Sequence, residues 1–171
     1  MPLTPLHPGP ALFLGSLFAK FFNLWALFFG SVIMDLEPLV LLIINPCYSC
    51  PHHGFFHSIL GAIFGSLILT AILWKFREKL NRISLKYKIE QPFSFPILFF
   101  SSLAAWLIHI FFDSLTHFDL RPFWPSNFNP IFIGRKIYWP LNLILLILEI
   151  IALILIFQKS KSQLKNSKKY A

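Results

Sequence analysis

Residues 93–112 read FSFPILFFSSLAAWLIHIFF, a stretch without an Asp, Glu, Lys or Arg. A helix of about 20 apolar residues crosses the hydrocarbon core of a bilayer, which is roughly 30 Å thick. Residues 54–74 and 137–157 are equally long and apolar, and their one formally charged residue is Glu149. The three segments therefore predict a polytopic membrane protein.

The composition excludes a soluble globular protein. Hydrophobic residues make up 56% of the 171 residues, charged residues only 13%, and the mean hydropathy is +0.67. The formal charge of +8 does not indicate a nucleic-acid partner, because the cations lie at the ends of apolar runs and form no repeated basic face. We expect an all-α fold, a polytopic transmembrane bundle of about four to five membrane helices, with the lipid bilayer as its partner.

The charges along the chain are sorted into two sets. Lys and Arg dominate the loop 75–92 and the tail 159–171, and the positive-inside rule places both in the cytoplasm of a protein in the cell membrane. All six histidines lie outside these two segments, as do Asp35, Glu37, Asp113 and Asp119. We expect a single transmembrane domain over 1–158, with its polar cluster toward the non-cytoplasmic face, and a disordered tail over 159–171.

The N-terminal segment has two alternative paths. Residues 11–34 are apolar apart from an interruption at Lys20 and Asn23. They form either one tilted span or a re-entrant pair of short helices that brings Asp35 back to the side of His7. The pair is favoured because it gathers the polar groups. Residues 39–44 are too short to span alone and are expected to continue the neighbouring helix.

His109 and Asp113 are four residues apart and therefore share one helix face, a spacing typical of metal ligands. If a helix covers 54–74, His57, Gly61 and Gly65 form a similar stripe. His53 extends that stripe if the helix begins early enough, and His52 does not; the spacing alone does not choose between the two histidines.

Ionisable groups near membrane depth cost roughly 2.5–3.5 kcal/mol each, so a shared compensating metal ion is expected. Imidazole and carboxylate ligands suit zinc first, with manganese or another first-row ion as alternatives. A metal ion activates water, so hydrolysis is the natural reaction, and Asp35 and Glu37 are the candidate acid/base residues. The candidate metal ligands are His7, Asp35, His52, His53, His57, His109 and Asp113.

Two smaller features have simpler interpretations. Cys47 and Cys50 form one C-x-x-C motif, which fits a disulfide, free thiols or a small zinc site completed by His52 and His53. For His117 a structural hydrogen bond is the expected role.

The order of these motifs resembles the YdjM-like family of inner-membrane-associated, metal-dependent hydrolases. The matching elements are His7, DLEP at 35–38, HHGFFHS at 52–58 and HIFFDSLTH at 109–117. The chain departs from the family pattern at His53, Pro38 and His117, where arginine, histidine and proline are usual. The resemblance implies a metal-dependent hydrolase, and the membrane location suggests a lipid-like ester or phosphoester substrate.

Two other functions use the same residues differently. A transporter or ion-binding protein would line a translocation path with the His/Asp cluster. A non-catalytic membrane scaffold would recruit partners through the basic tail, and its function would not need the cluster.

Overall fold

The computed structural model describes residues 4–44, 46 and 52–169, and every regular element within them is helical. The expected all-α bundle is therefore confirmed. Cys47 and Cys50 lie outside the described residues, and the alternatives for them stay predictions. The α-helices are α1 (Pro8–Leu17), α2 (Leu24–Val32), α3 (Leu36–Ile44), α4 (Ile59–Lys75), α5 (Arg77–Lys86), α6 (Phe95–Thr116) and α7 (Tyr138–Lys169). Short 3-10 turns cover Thr4–Leu6, Ile33–Asp35, Phe55–His57 and Arg135–Ile137.

Three of the described helices are long and apolar enough to cross a membrane: Leu24–Ile44, Phe95–Thr116 and Arg135–Gln163. A fourth crossing is available if α4 and α5, which are bent by 71° relative to each other, act as one broken span. The described residues thus give three to four candidate spans, against the expected four to five membrane helices, and the short α1 lies beside them. Residues 39–44 continue α2 through the 3-10 turn at Ile33–Asp35, as expected.

The first apolar segment is a helix pair. The chain leaves α1 after Leu17, turns, and enters α2 with Asn23 as its N-cap, whose side chain accepts from the N–H of Ala26. At 1.5 Å per residue, the ten residues of α1 extend only about 15 Å, too short to cross a bilayer. The pair brings Asp35 to 3.7 Å from His7. A single span over 11–34 does not form.

Hydrogen bonds fix the turn between α1 and α2 against the start of α6. The backbone N–H of Asn23 donates to Ser101 Oγ at 2.9 Å, and its side-chain amide donates to the carbonyl of Pro92 at 2.7 Å. The N–H of Leu24 donates to Gln91 Oε1 at 2.6 Å. The turn's polar groups are thus satisfied by protein, as backbone within a membrane requires.

Glycines allow close helix contacts around the site. A Cβ at Gly30 of α2 would lie 2.9 Å from the carbonyl oxygen of Ser102 on α6, and one at Gly9 of α1 would lie 2.7 Å from that of Leu145 on α7. On α4, a Cβ at Gly65 would overlap the Trp106 ring. Small residues are typical where membrane helices approach closely. They allow α2 and α4 to pack closely against α6, and α1 against α7.

The helix after the histidine-rich loop begins later than expected. Ser58 is extended, with φ −123° and ψ 161°, and its Oγ accepts from the N–H of Gly61, so α4 starts at Ile59. His57 lies on the preceding 3-10 turn and does not continue a helical stripe with Gly61. The predicted helical stripe of His57, Gly61 and Gly65 is therefore wrong for His57, because the cap at Ser58 separates the 3-10 turn from α4.

The polar cluster and the basic segments lie at opposite ends of the bundle. Ser160 Oγ donates to the carbonyl of Tyr87 at 2.6 Å, which places α7's C-terminal part beside the basic loop. At the other end, the N–H of Ile59 donates to the carbonyl of Pro122 at 2.9 Å, which joins the start of α4 to the loop after α6. The backbone of α7 is helical through Lys169, including most of the segment expected to be disordered.

Candidate metal centre

His109 and Asp113 occupy successive turns of α6 and are 1% and 0% exposed. His109 Nε2 lies 3.2 Å from Asp113 Oδ2. The other ring nitrogen, Nδ1, lies 2.7 Å from the carbonyl oxygen of Ser31 on α2. A carbonyl only accepts, so Nδ1 carries a proton and Nε2 is directed at the carboxylate.

Asp35 ends the 3-10 turn between α2 and α3, which directs its carboxylate toward α6. Its Oδ1 lies 3.3 Å from His109 Nε2 and 3.8 Å from His57 Nε2. Its Oδ2 lies 3.7 Å from His7 Nδ1 and has no hydrogen-bond partner within the described part of the chain. Asp35 is therefore surrounded by three imidazoles from three different segments.

Glu37 holds His57 in place. His57 Nδ1 donates to Glu37 Oε2 at 2.9 Å, while the backbone N–H groups of Gly54 and Phe56 donate to the same carboxylate at 3.1 Å each. A Cβ at residue 54 would lie 2.5 Å from Glu37 Oε1, so glycine is needed for this close approach. Three donors engage the Glu37 carboxylate, and His57 Nε2 is left facing Asp35.

Asp119 holds His53 in the same way. His53 Nδ1 donates to Asp119 Oδ2 at 2.8 Å, and the backbone N–H of His52 donates to the same oxygen at 3.1 Å. His53 Nε2 then lies 3.9 Å from Asp113 Oδ2. His117, at the end of α6, places its Nδ1 3.7 Å from Asp119 Oδ1.

His7 reaches the cluster from the start of α1. Its Nε2 donates to Asp113 Oδ1 at 3.1 Å, and its ring stacks on that of His109 with centroids 3.9 Å apart. His7 is 2% exposed. The N-terminal helix pair thus adds one imidazole and one carboxylate, from His7 and Asp35, to a centre built on α6.

The hydrogen-bond acceptors at Nδ1 of three imidazoles are consistent with a cation site. His53, His57 and His109 each donate through Nδ1 to an oxygen acceptor, so each directs Nε2 toward Asp35 or Asp113. In a neutral imidazole, Nε2 carries a lone pair, and here that lone pair faces a carboxylate. A positive ion between the nitrogen and the carboxylate would stabilise this arrangement. A metal-bound histidine commonly donates its other ring N–H to an oxygen acceptor in this way.

The spacing of the ligand atoms agrees with this interpretation. One ligand atom from each of Asp35, His57, His109 and Asp113 lies within 4.8 Å of the others. The buried Nε2 atoms of His53 and His57 have no hydrogen-bond partner among the residues described. Buried polar atoms without partners are costly, and a bound ion would satisfy them.

Burial and neighbouring groups set the charge of the residues outside the spans. Burial lowers the pKa of His53, against the opposing effect of its hydrogen bond to Asp119, so the imidazole is neutral near pH 7 and can act as a ligand. Burial alone would raise the pKa of Asp119, but the nearby imidazole of His117 and the hydrogen bond from His53 lower it well below its usual value. Asp119 is therefore an anionic acceptor.

The structure brings together six of the seven predicted ligands: His7, Asp35, His53, His57, His109 and Asp113. His52 contributes only its backbone N–H to the cluster's described hydrogen bonds. Two participants had not been assigned a site role from sequence, Asp119 and His117. The sequence feature that could have identified both is that they lie outside the two basic segments, as the other histidines do.

Comparison with known families agrees with the motif order. Residues 4–168 match the model of the YdjM inner membrane protein family, nearly the whole chain. The chain belongs to this family. The YdjM match covers every residue of the cluster, from His7 to Asp119, and confirms the resemblance inferred from the motifs. No curated protein and no solved structure matches the chain.

Proposed function

We propose that this YdjM-family protein is a membrane-bound, metal-dependent hydrolase that cleaves an ester or phosphoester bond of a lipid-embedded substrate. The observation that carries the proposal is the set of three histidines, His53, His57 and His109, each anchored through Nδ1 and directing Nε2 at a buried carboxylate. Such anchoring orients ligands before a metal ion arrives.

The primary ligand set in this proposal is Asp35, His57, His109 and Asp113, whose ligand atoms are within 4.8 Å of one another. Two imidazoles and two carboxylates suit zinc first, and manganese next. A divalent ion bound there would polarise a carbonyl or phosphoryl oxygen and lower the pKa of water. His7 supports the set by donating to Asp113 Oδ1.

The roles of the two acidic residues differ in this proposal. Asp35 Oδ2 is buried, lies 3.7 Å from His7 Nδ1 and has no other described partner, so it is the oxygen able to accept a proton from water. Glu37 accepts three hydrogen bonds and acts as a positioning residue that fixes the tautomer and orientation of His57. We therefore prefer Asp35 over Glu37 as the proton acceptor.

An apolar groove beside the centre supports a lipid-like substrate. It has a volume of about 510 Å³ and is lined by α1, α6 and α7. On α1 it begins at Pro10, one turn after His7, and on α6 it includes Ile108 and Phe112, which directly precede His109 and Asp113. An acyl chain in this groove would lie along the segments of α1 and α6 that also carry His7, His109 and Asp113. The lining residues are Pro10, Phe13, Leu14, Leu107, Ile108, Phe111, Phe112 and Leu148.

Elemental analysis and hydrolysis assays test the proposal together. Protein purified in detergent without chelators should contain zinc or manganese and should cleave a chromogenic ester or phosphodiester in mixed micelles. A His109→Ala/Asp113→Ala variant should lose both properties. Leu143→Ala, on the exposed surface of α7, should keep both. Metal-free wild-type protein that cannot be loaded with either ion would refute the hydrolase.

We propose that the basic end of the bundle faces the cytoplasm and the metal centre lies toward the opposite face. The support is the location of Tyr87 and Ser160 at the end remote from the cluster. Single cysteines at exposed Phe118 and at Lys161 should react with an impermeant reagent in whole cells at 118 only. Labelling at position 161 alone would contradict the proposal and indicate the opposite orientation in the membrane.

An ion-translocating protein is the second candidate, because Ser66, Thr70 and Ser102 are buried between α4 and α6 with hydroxyl oxygens that have no hydrogen-bond partner in the described residues. Such hydroxyls could extend a polar path from the cluster. Flux of zinc or protons into proteoliposomes, abolished by Asp113→Asn and by Thr70→Val, would favour this function. The hydrolase proposal expects no flux and unchanged hydrolysis in Thr70→Val.

A further inference from the structure

A second set of ligand atoms adjoins the primary set. His53, Asp113 and His117 each place a ligand atom within 4.8 Å of the other two. The primary set is Asp35, His57, His109 and Asp113, and Asp113 is the one residue that belongs to both sets. The Asp113 carboxylate therefore lies between two groups of histidines.

The two histidines of the second set have unused ring nitrogens. His53 Nε2 and His117 Nε2 are both buried and have no hydrogen-bond partner in the part of the chain that is described. The side chain of His53 is 2% exposed, and its Nε2 faces Asp113 Oδ2 at 3.9 Å. The two rings are close, with centroids 4.4 Å apart.

Asp119 supports both histidines from the far side. Its Oδ2 accepts from His53 Nδ1 at 2.8 Å, and its Oδ1 lies 3.7 Å from His117 Nδ1. This repeats the arrangement of Glu37 behind His57, in which a carboxylate fixes the tautomer of an imidazole. His117 is fixed further because its carbonyl accepts from Asn129 Nδ2 at 3.1 Å.

The charges also favour two cations. Asp35, Glu37, Asp113 and Asp119 bring four carboxylates to one cluster that contains no Lys or Arg among its described ion pairs. One divalent ion offsets only half of that charge. A second divalent ion would offset the rest of the charge of the four ionised carboxylates.

We propose that His53 and His117 bind a second divalent metal ion and that the Asp113 carboxylate is shared between the two ions. This rests on the primary site of the proposed function and makes the centre dinuclear. Oδ2 of Asp113 faces ligands of both sets, at 3.2 Å from His109 Nε2 and 3.9 Å from His53 Nε2, whereas Oδ1 accepts from His7. Two-metal hydrolytic sites hold their ions about 3.5–4 Å apart, a separation that one shared carboxylate can bridge.

Metal stoichiometry tests the proposal directly. After equilibrium dialysis of the full-length protein against zinc, elemental analysis should give two ions per chain for wild type and one for His117→Ala and for His53→Ala. Phe118→Ala, a neighbouring exposed residue, should keep two. One zinc in wild type, or two in both histidine variants, would overturn the second site. No zinc in wild type would instead overturn the proposed function itself.

A spectroscopic measurement makes the result independent of variant folding. Electron paramagnetic resonance of wild-type protein loaded with Mn²⁺ should show two exchange-coupled ions, as a shared carboxylate requires. His117→Ala that retains the wild-type elution profile in detergent should show an uncoupled ion. An uncoupled spectrum from fully loaded wild-type protein would contradict the shared ligand even if two ions were bound.

Discussion

His7 and Asp113 are separated by 106 residues and meet through a hydrogen bond of 3.1 Å from the imidazole Nε2 to the carboxylate Oδ1. The contact fixes Asp113 from one side while His109 approaches its other oxygen. In the proposed centre, His7 thus determines which oxygen of Asp113 remains available to a metal ion.

Replacing His7 by alanine should weaken metal binding without abolishing it. The four primary ligands remain, but Asp113 loses the donor that orients it, and the loss of such a partner typically costs about 10–100-fold in affinity. Competition with a fluorescent zinc chelator measures the change. Asp113→Asn, which removes a ligand, should reduce affinity further than His7→Ala; the opposite order would contradict these roles.

Glu37→Gln should weaken zinc binding by about 10–100-fold, because the substitution removes the anionic acceptor that fixes His57 Nδ1. The same chelator competition applies. If Glu37 were instead the acid/base residue considered from sequence, the variant would bind zinc normally and lose only turnover. Parallel measurement of zinc affinity and kcat therefore distinguishes positioning from proton transfer.

Metal removal should destabilise the protein. A ligand that binds only the folded state stabilises it by about 2.7 kcal/mol when its concentration is 100 times Kd. A membrane-permeant chelator should therefore lower the Tm of wild-type protein in detergent. The Tm of the His109→Ala/Asp113→Ala variant should not respond, and an equal decrease in both proteins would indicate a chelator effect unrelated to the site.

Gly30→Ala should destabilise the bundle. The added methyl group would lie 2.9 Å from the Ser102 carbonyl oxygen and 3.0 Å from Ala105 Cβ, so the backbones of α2 and α6 must separate. Overpacking of this kind costs about 1–3 kcal/mol. At Gly15 the nearest atoms are the ends of leucine side chains, which can rotate. Thermal unfolding in detergent should therefore show a smaller loss for Gly15→Ala than for Gly30→Ala.

The helical membrane architecture could be predicted from the sequence because the ability of a segment to cross a bilayer depends on its length and polarity, which are local properties. The sequence also paired His109 with Asp113, since helical spacing puts residues four apart on one face. It was wrong about the stripe from His57 to Gly61, because one hydrogen-bonded cap at Ser58 shifts the start of α4. A cap moves the start of a helix by one or a few residues, and the spacing of apolar residues in the sequence does not reveal such a change.

The carboxylate behind each histidine could not be predicted. Glu37 and His57 are 20 residues apart in the chain, and His53 meets Asp119 only because α4 and α6 run side by side. These pairings depend on tertiary structure. They also distinguish the two neighbouring histidines, because Asp119 accepts from the ring of His53 and from the backbone of His52.

Helix α1 links the hydrogen-bonded turn at Asn23 to His7 at the other end of the helix. The turn's hydrogen bonds to Pro92 and Ser101 lie at the basic end, whereas His7, about 15 Å away along α1, lies at the end that carries the His/Asp cluster. The ten residues of α1 therefore join the hydrogen-bonded turn to the His7–Asp113 contact, so the position of the turn against α6 and the position of His7 in the cluster are set by one helix.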